Sequence, residues 1–151
     1  NHYRHDNEPG HHYAYLFNYS GQSWKTQELI RKHTSAENYK NIPIGINGND
    51  DCGQMSAWYI FSVMGFYPVT PGDERFAIGA PQFPEFTLRL KKDGKSKNFK
   101  IIANNISDKN LYIQSVCLDG KKLPTPFITY SQIIAGKELV FEMGGESNKN
   151  W

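Results

Sequence analysis

Gly65-Phe66-Tyr67-Pro68-Val69-Thr70-Pro71 marks the point at which the hydrophobic period of the chain changes. Just before it, Met55, Trp58, Tyr59 and Ser62 fall at helical spacing behind Asp50-Asp51, and Gly65 stops the run as a glycine past a helix end does. Just after it, Pro68, Pro71, Pro81 and Pro84 break the chain and short alternating runs take over. The stretch therefore predicts a helical part over residues 1–66 and a β part over residues 67–151.

Upstream, Pro9 suits the first turn of a helix in which Tyr13, Leu16 and Phe17 share a face, ending by Gly21. Ser23 is placed to cap a second helix with Leu29, Ile30 and His33 on one side. Downstream, Phe86–Leu90, Phe99–Ala103, Tyr112–Leu118 and Leu139–Phe141 read as strands, and Asp93-Gly94 and Asp119-Gly120 have turn chemistry. The fold class is α+β: helices, then an antiparallel sheet or small sandwich. Three helices cannot close a helical barrel, so the first part is expected to be a piece of a larger all-α domain.

Composition narrows the possible functions. The 151 residues are 38% hydrophobic with a mean hydropathy of −0.62, and no apolar run approaches the roughly 20 residues of a membrane span. The net charge of +2 comes from 17 basic and 15 acidic residues scattered along the chain, so no basic stripe can track a phosphate backbone and nucleic acid is not an expected partner. Cys52 and Cys117 match no metal or redox spacing and leave the compartment open. The opening Asn1-His2-Tyr3-Arg4 has no Met and no signal segment, and reads as a cut beginning.

Two polar clusters carry the chemistry. Asn7-Glu8-Pro9-Gly10-His11-His12 lies at the start of the first helix, where side chains and unpaired amides converge. It can bind sugar hydroxyls or a metal; equally, Asn7 or Glu8 can be a helix cap with surface histidines beside it. Gly45-Ile46-Asn47-Gly48-Asn49-Asp50-Asp51-Cys52-Gly53-Gln54 sets two adjacent carboxylates in a glycine-rich loop. Such carboxylates repel, so either one has a raised pKa or both face a cation. General base, metal ligand and N-cap with a solvated neighbour all fit. The loop is not an EF-hand, since glycine is missing at its sixth position. Trp24, Trp58 and Tyr59 can stack on a pyranose face or fill a core, and Trp24 beside its glycine turn is the best sugar platform of the three.

With these residues quoted, the chain resembles the C-terminal region of glycoside hydrolase family 92, α-mannosidases found widely in bacteria. The resemblance rests on Asn7-Glu8-Pro9 with His11-His12, Tyr15-Leu16-Phe17-Asn18-Tyr19 and Trp24-Lys25-Thr26-Gln27. Its densest block runs from Gly48 to Tyr59 and continues to Gly65-Phe66-Tyr67-Pro68-Val69. Ile78-Gly79, Tyr112-Ile113-Gln114 and Met143-Gly144 follow in order, so essentially the whole chain is covered.

The resemblance implies helices from an (α/α)6 barrel catalytic domain followed by a C-terminal antiparallel β region. It implies a calcium-dependent, inverting exo-α-mannosidase acting on terminal mannose of glycans, secreted, periplasmic or at the cell surface. Inversion needs one acid and one base on opposite faces of the scissile bond. Asp51 is the expected general base, with Asp50 as alternative or assistant, and the start of a helix would favour its ionised form. Asn49 stands where many members carry a second Asp; it can orient water but not take its proton. Glu8 and Asn7 are expected to hold the terminal mannose or the calcium, with His12 and Trp24 also at the sugar. The general acid is expected upstream of Asn1, in the N-terminal part of the same enzyme, so this chain alone should be inactive. The rival expectation is a non-catalytic carbohydrate-binding β module with a helical extension.

Overall fold

A computed structural model describes residues 3–151. Two 3-10 turns, Glu8–Gly10 and Tyr13–Tyr15, lead into a short helix α1 (Leu16–Tyr19), followed by α2 (Ser23–His33) and α3 (Gln54–Met64). The continuous helix expected from Pro9 to Gly21 is thus broken. The carbonyl of His11 accepts the Trp58 indole N–H at 3.0 Å, and Tyr15 N–H bonds instead to the His12 carbonyl. The tertiary bond at His11 and the i→i−3 bond at Tyr15 together favour tight 3-10 turns over a continuous α-helix here. Ser23 also departs from its expected capping role: Gln22 is the N-cap residue, and Ser23 Oγ donates to the Trp151 carbonyl. The third helix is as expected, closed by Gly65 at φ +106. A side chain there would meet the Phe141 ring at 3.1 Å, so the glycine answers both the left-handed turn and the close approach.

From Phe66 onward the chain is mainly β. Strands β1 (Phe66–Tyr67), β2 (Arg75–Ile78) and β7 (Phe127–Thr129) form a small antiparallel sheet in the order β1-β2-β7. Strands β3 (Glu85–Lys92), β4 (Lys95–Asn104), β5 (Tyr112–Leu118), β6 (Lys121–Lys122) and β8 (Glu138–Gly144) form a second sheet in the order β3-β4-β8-β5-β6. Asp93 and Gly94, both left-handed, make the two-residue turn of the β3-β4 hairpin. The purely antiparallel expectation fails at one pairing, because β8 runs parallel to β4. Between β6 and β8 the chain crosses through β7 and the helix α4 (Tyr130–Ala135), and it returns in the direction of β4.

Alternation along the small sheet explains the layering. Phe66, Ile78 and Ile128 point into one core with Phe99, Ile101, Ile113, Leu139 and Phe141 of the large sheet. Their neighbours Tyr67, Ala77 and Phe127 face the other way, onto Tyr15, Ile30 and Trp58 of the helical layer. The small sheet is therefore the shared middle layer. Polar anchors tie the outer layers to the β structure: Asn18 Nδ2 donates to the Ile78 carbonyl at 2.7 Å, and Gln27 Oε1 accepts the Ile113 N–H at 2.9 Å. No described helix is long and apolar enough to cross a membrane.

Candidate active site

Two loops meet above the start of α3. In the first, Tyr39 bridges to Ile46 and Gly45 is pressed against the Lys40 carbonyl, which folds residues 39–46 into a tight reversal. Asn47 then bonds to Asn38 at 2.9 Å. Gly48, at φ +79, lies so near the second loop that a Cβ there would stand 2.6 Å from Asp6 Cβ. Only glycine allows this contact, and the contact brings the Asp50-Asp51 loop to the segment bearing Glu8.

Asp51, Cys52 and Gly53 are successively left-handed, at φ 48, 59 and 95. Two non-glycine residues in that region is an unfavourable arrangement that surrounding contacts must hold. It separates the fates of the adjacent carboxylates. Asp50 Oδ1 accepts the Ser56 backbone N–H at 2.9 Å and the Ser56 hydroxyl at 2.7 Å, so Asp50 satisfies the amide end of α3. These two bonds hold the Asp50 carboxyl below the usual range. The Asp51 pKa is raised, first by Glu8 nearby, then by loss of water and by the Glu8 and Asp50 charges. Glu8 is lowered, first by its own backbone N–H and then by the nearby Asp51. The favourable helix-end position expected for Asp51 thus belongs to Asp50. Of the carboxyls at 8, 50 and 51, Asp51 is the one pushed upward.

Flanking the segment that bears Glu8 is a histidine cluster that sequence reasoning missed. His5 and His11 are buried, their rings 5.3 Å apart, and His33 stacks on His5 at 5.3 Å. His5 bonds to Tyr3 OH at 3.0 Å and Tyr39 OH at 2.8 Å. His11 Nε2 donates to the His5 carbonyl at 3.0 Å, and His11 Nδ1 receives the Gln54 amide at 3.3 Å. Loss of water lowers all three imidazoles, His5 to about 4, with His33 and His11 adding to the effect on His5. The cluster is neutral and structural in character. Gln54 stands in the quoted motif, but nothing in local spacing announces a partner 43 residues away.

Asn7 and Asn49 stay beside the carboxyls, whereas His12 and Trp24 line other surfaces. Asn7 is exposed and begins the Glu8–Gly10 turn, but its side chain caps nothing. Asn49 is exposed beside Asp50. His12 lines a separate hollow with Leu16, Tyr19 and Val69. Trp24 is half-buried on α2, with Lys149 over its ring at 6.0 Å. Trp58 is wholly buried core, whereas Tyr59 stacks on Tyr39 and lines a hollow of about 440 Å³ that includes Ser56, the partner of Asp50. Among the described residues no three of His, Cys, Asp and Glu converge as a metal group. Glu8, Asp51 and the exposed Asn7 offer oxygens of the type calcium takes, but too few for the six to eight it requires.

The model of the glycosyl hydrolase family 92 catalytic domain matches residues 1–145. A solved family GH92 α-mannosidase from Bacteroides thetaiotaomicron is 44% identical, with a TM-score of 0.88 over 97% of this chain and 19% of its own; it has also been solved with mannoimidazole. A GH92 inverting mannosidase from Bacteroides thetaiotaomicron VPI-5482 is 39% identical, with a TM-score of 0.87 over 97% of this chain and 19% of its own. An uncharacterized secreted glycosidase of Arthroderma benhamiae is 27% identical over 94% of this chain and 18% of its own length. The chain thus spans about a fifth of the length of these relatives.

Proposed function

The chain belongs to glycosyl hydrolase family 92, and from that premise we propose that it supplies the general base of an inverting exo-α-mannosidase whose remaining catalytic parts lie in the rest of the full-length protein. The observation that supports this reading best is the close approach of Gly48 to Asp6, which brings the Asp50-Asp51 turn to the segment bearing Glu8 while Asp50 is committed to Ser56. The pKa directions agree with it: Glu8 and Asp50 are lowered, and Asp51 is raised by the nearby Glu8. A carboxylate with a raised pKa takes a proton more readily once ionised, which is what a base acting on water needs.

In this assignment Asp51 accepts the proton of the attacking water, Asp50 fixes the start of α3 beneath it, and Asn49 orients the water. Glu8 and Asn7 hold mannose hydroxyls, and they contribute oxygens to a calcium site completed by waters, substrate and other segments. Bound calcium would grip adjacent sugar hydroxyls and help distort the ring. The general acid comes from another segment, across the sugar from Asp51. His12, in the hollow with Leu16, Tyr19 and Val69, and Trp24, with Lys149 over its ring, are assigned to outer sugar contacts. The helices α1 to α3 would belong to an (α/α)6 barrel completed by the missing sequence, and the substrate is the terminal mannose of a glycan met outside the cytoplasm.

The test is mannose release by the full-length protein, followed by proton NMR of the sugar as it forms. We expect β-mannose first from an α-mannoside, loss of turnover with a calcium chelator, and no turnover by residues 1–151 alone. α-Mannose as the first product would contradict inversion, and robust hydrolysis by residues 1–151 would mean that the acid lies within this chain.

A further inference from the structure

We propose that His11 and Gln54 form a positioning pair that sets the segment bearing Glu8 against the turn bearing Asp51; the proposal rests on the reading of Asp51 as base. Neither side chain reaches the reacting atoms, so their role would be exerted through the two loops. His11 is 1% exposed, and both of its ring nitrogens are committed. Because Nε2 faces the His5 carbonyl at 3.0 Å, that nitrogen carries the proton, and the bond closes the loop from His5 to His11 around Asn7 and Glu8. Nδ1 is left with a lone pair, which accepts from Gln54 Nε2 at 3.3 Å.

Gln54 is the first residue of α3 and follows directly on the left-handed run Asp51 to Gly53. The same amide nitrogen donates to Tyr67 OH on β1, also at 3.3 Å, which anchors it to the middle sheet. The His11 carbonyl accepts the Trp58 indole N–H from one turn further along α3. A histidine that merely fills a core can satisfy its nitrogens anywhere. Here one nitrogen binds the loop that carries Glu8, and the other binds the residue next to the turn that carries Asp51. The imidazole is a rivet between the segments bearing the two carboxyls, and it acts in one neutral tautomer.

The experiment is steady-state kinetics of the full-length enzyme on an aryl α-mannoside, with Gln54→Leu, His11→Gln, the double variant and Asp51→Asn. Leucine keeps the volume of Gln54 and removes its donor; glutamine keeps a donor toward the His5 carbonyl and removes the acceptor facing Gln54. We expect Gln54→Leu and His11→Gln each to lower kcat by about 10- to 100-fold, the scale of a small misplacement of catalytic groups, with little change in KM and melting temperature. The double variant should be no slower than the slower single, because both break the same contact. Should His11→Gln fail to fold, Gln54→Leu alone decides. Near-normal kcat in Gln54→Leu beside a crippled Asp51→Asn overturns the positioning role alone, as do losses that multiply in the double variant. Near-normal turnover in Asp51→Asn overturns the base assignment and the positioning role with it.

Discussion

At the scale of single residues, neighbours identical in type are separated by backbone conformation. Asp50 and Asp51 are adjacent carboxylates in the sequence, and their repulsion predicts that one pKa rises. Which one rises is decided by Glu8, nearby in the fold and 43 residues away in the chain, which no spacing rule gives. Asp50, reaching over the turn to Ser56, takes the capping role. Glu8 can be singled out from its polar cluster, but the packing of its segment against the Asp50-Asp51 loop depends on Gly48 lying against Asp6, which no local pattern gives. Cys52 is exposed and held at φ 59, where a side chain costs roughly 1–2 kcal/mol and glycine nothing. The extra freedom that glycine brings to the unfolded chain offsets about 0.5–1 kcal/mol of that. Cys52→Gly should therefore raise stability by up to about 1 kcal/mol, seen as a higher urea midpoint with mannoside turnover retained; a lower midpoint would show that the turn is not strained at this residue.

At the scale of elements, long periodic segments were legible and short ones were not. The helix before Gly65 and the strand Tyr112–Leu118 lie where periodicity puts them, and Asp93-Gly94 makes the expected hairpin. Strands β1, β2 and β7 have two to four residues, too few for alternation to show, yet they form the layer that joins the two cores. The start of α4 had a readable signal in Thr129-Tyr130-Ser131-Gln132, whose outer members form a full capping box. The parallel β8 could not be read, since strand direction follows from the crossover and not from composition. As the partner of both β4 and β5, with Leu139, Phe141 and Met143 buried, β8 is the keystone of the large sheet. Phe141→Ala should cost about 3–5 kcal/mol, measured as a fall in unfolding free energy of the full-length protein; a loss under about 1 kcal/mol would mean that the site collapses to fill the space.

At the scale of the whole molecule, the helical part carries both the loops with the carboxyls and the buried histidines His5 and His11. Those histidines give the fold a pH dependence. In the unfolded chain a histidine titrates near 6.5, whereas His5 in the fold is lowered to about 4, first by loss of water. Below pH 6.5 the unfolded chain binds the proton first, so stability is complete above that value and falls as pH drops toward 4. The melting temperature should decline across this window, and the decline should be shallower in His5→Gln; parallel profiles would assign the acid sensitivity elsewhere. The most direct measurement of the central claim compares kcat and KM of full-length Asp51→Asn and Glu8→Gln on an α-mannoside, with folding verified by circular dichroism. If Asp51 is the base, Asp51→Asn lowers kcat by about 10²–10⁴ with KM little changed, and Glu8→Gln acts largely by raising KM. Near-normal turnover in Asp51→Asn, with Glu8→Gln abolishing turnover at unchanged affinity, would contradict that assignment and make Glu8 the base.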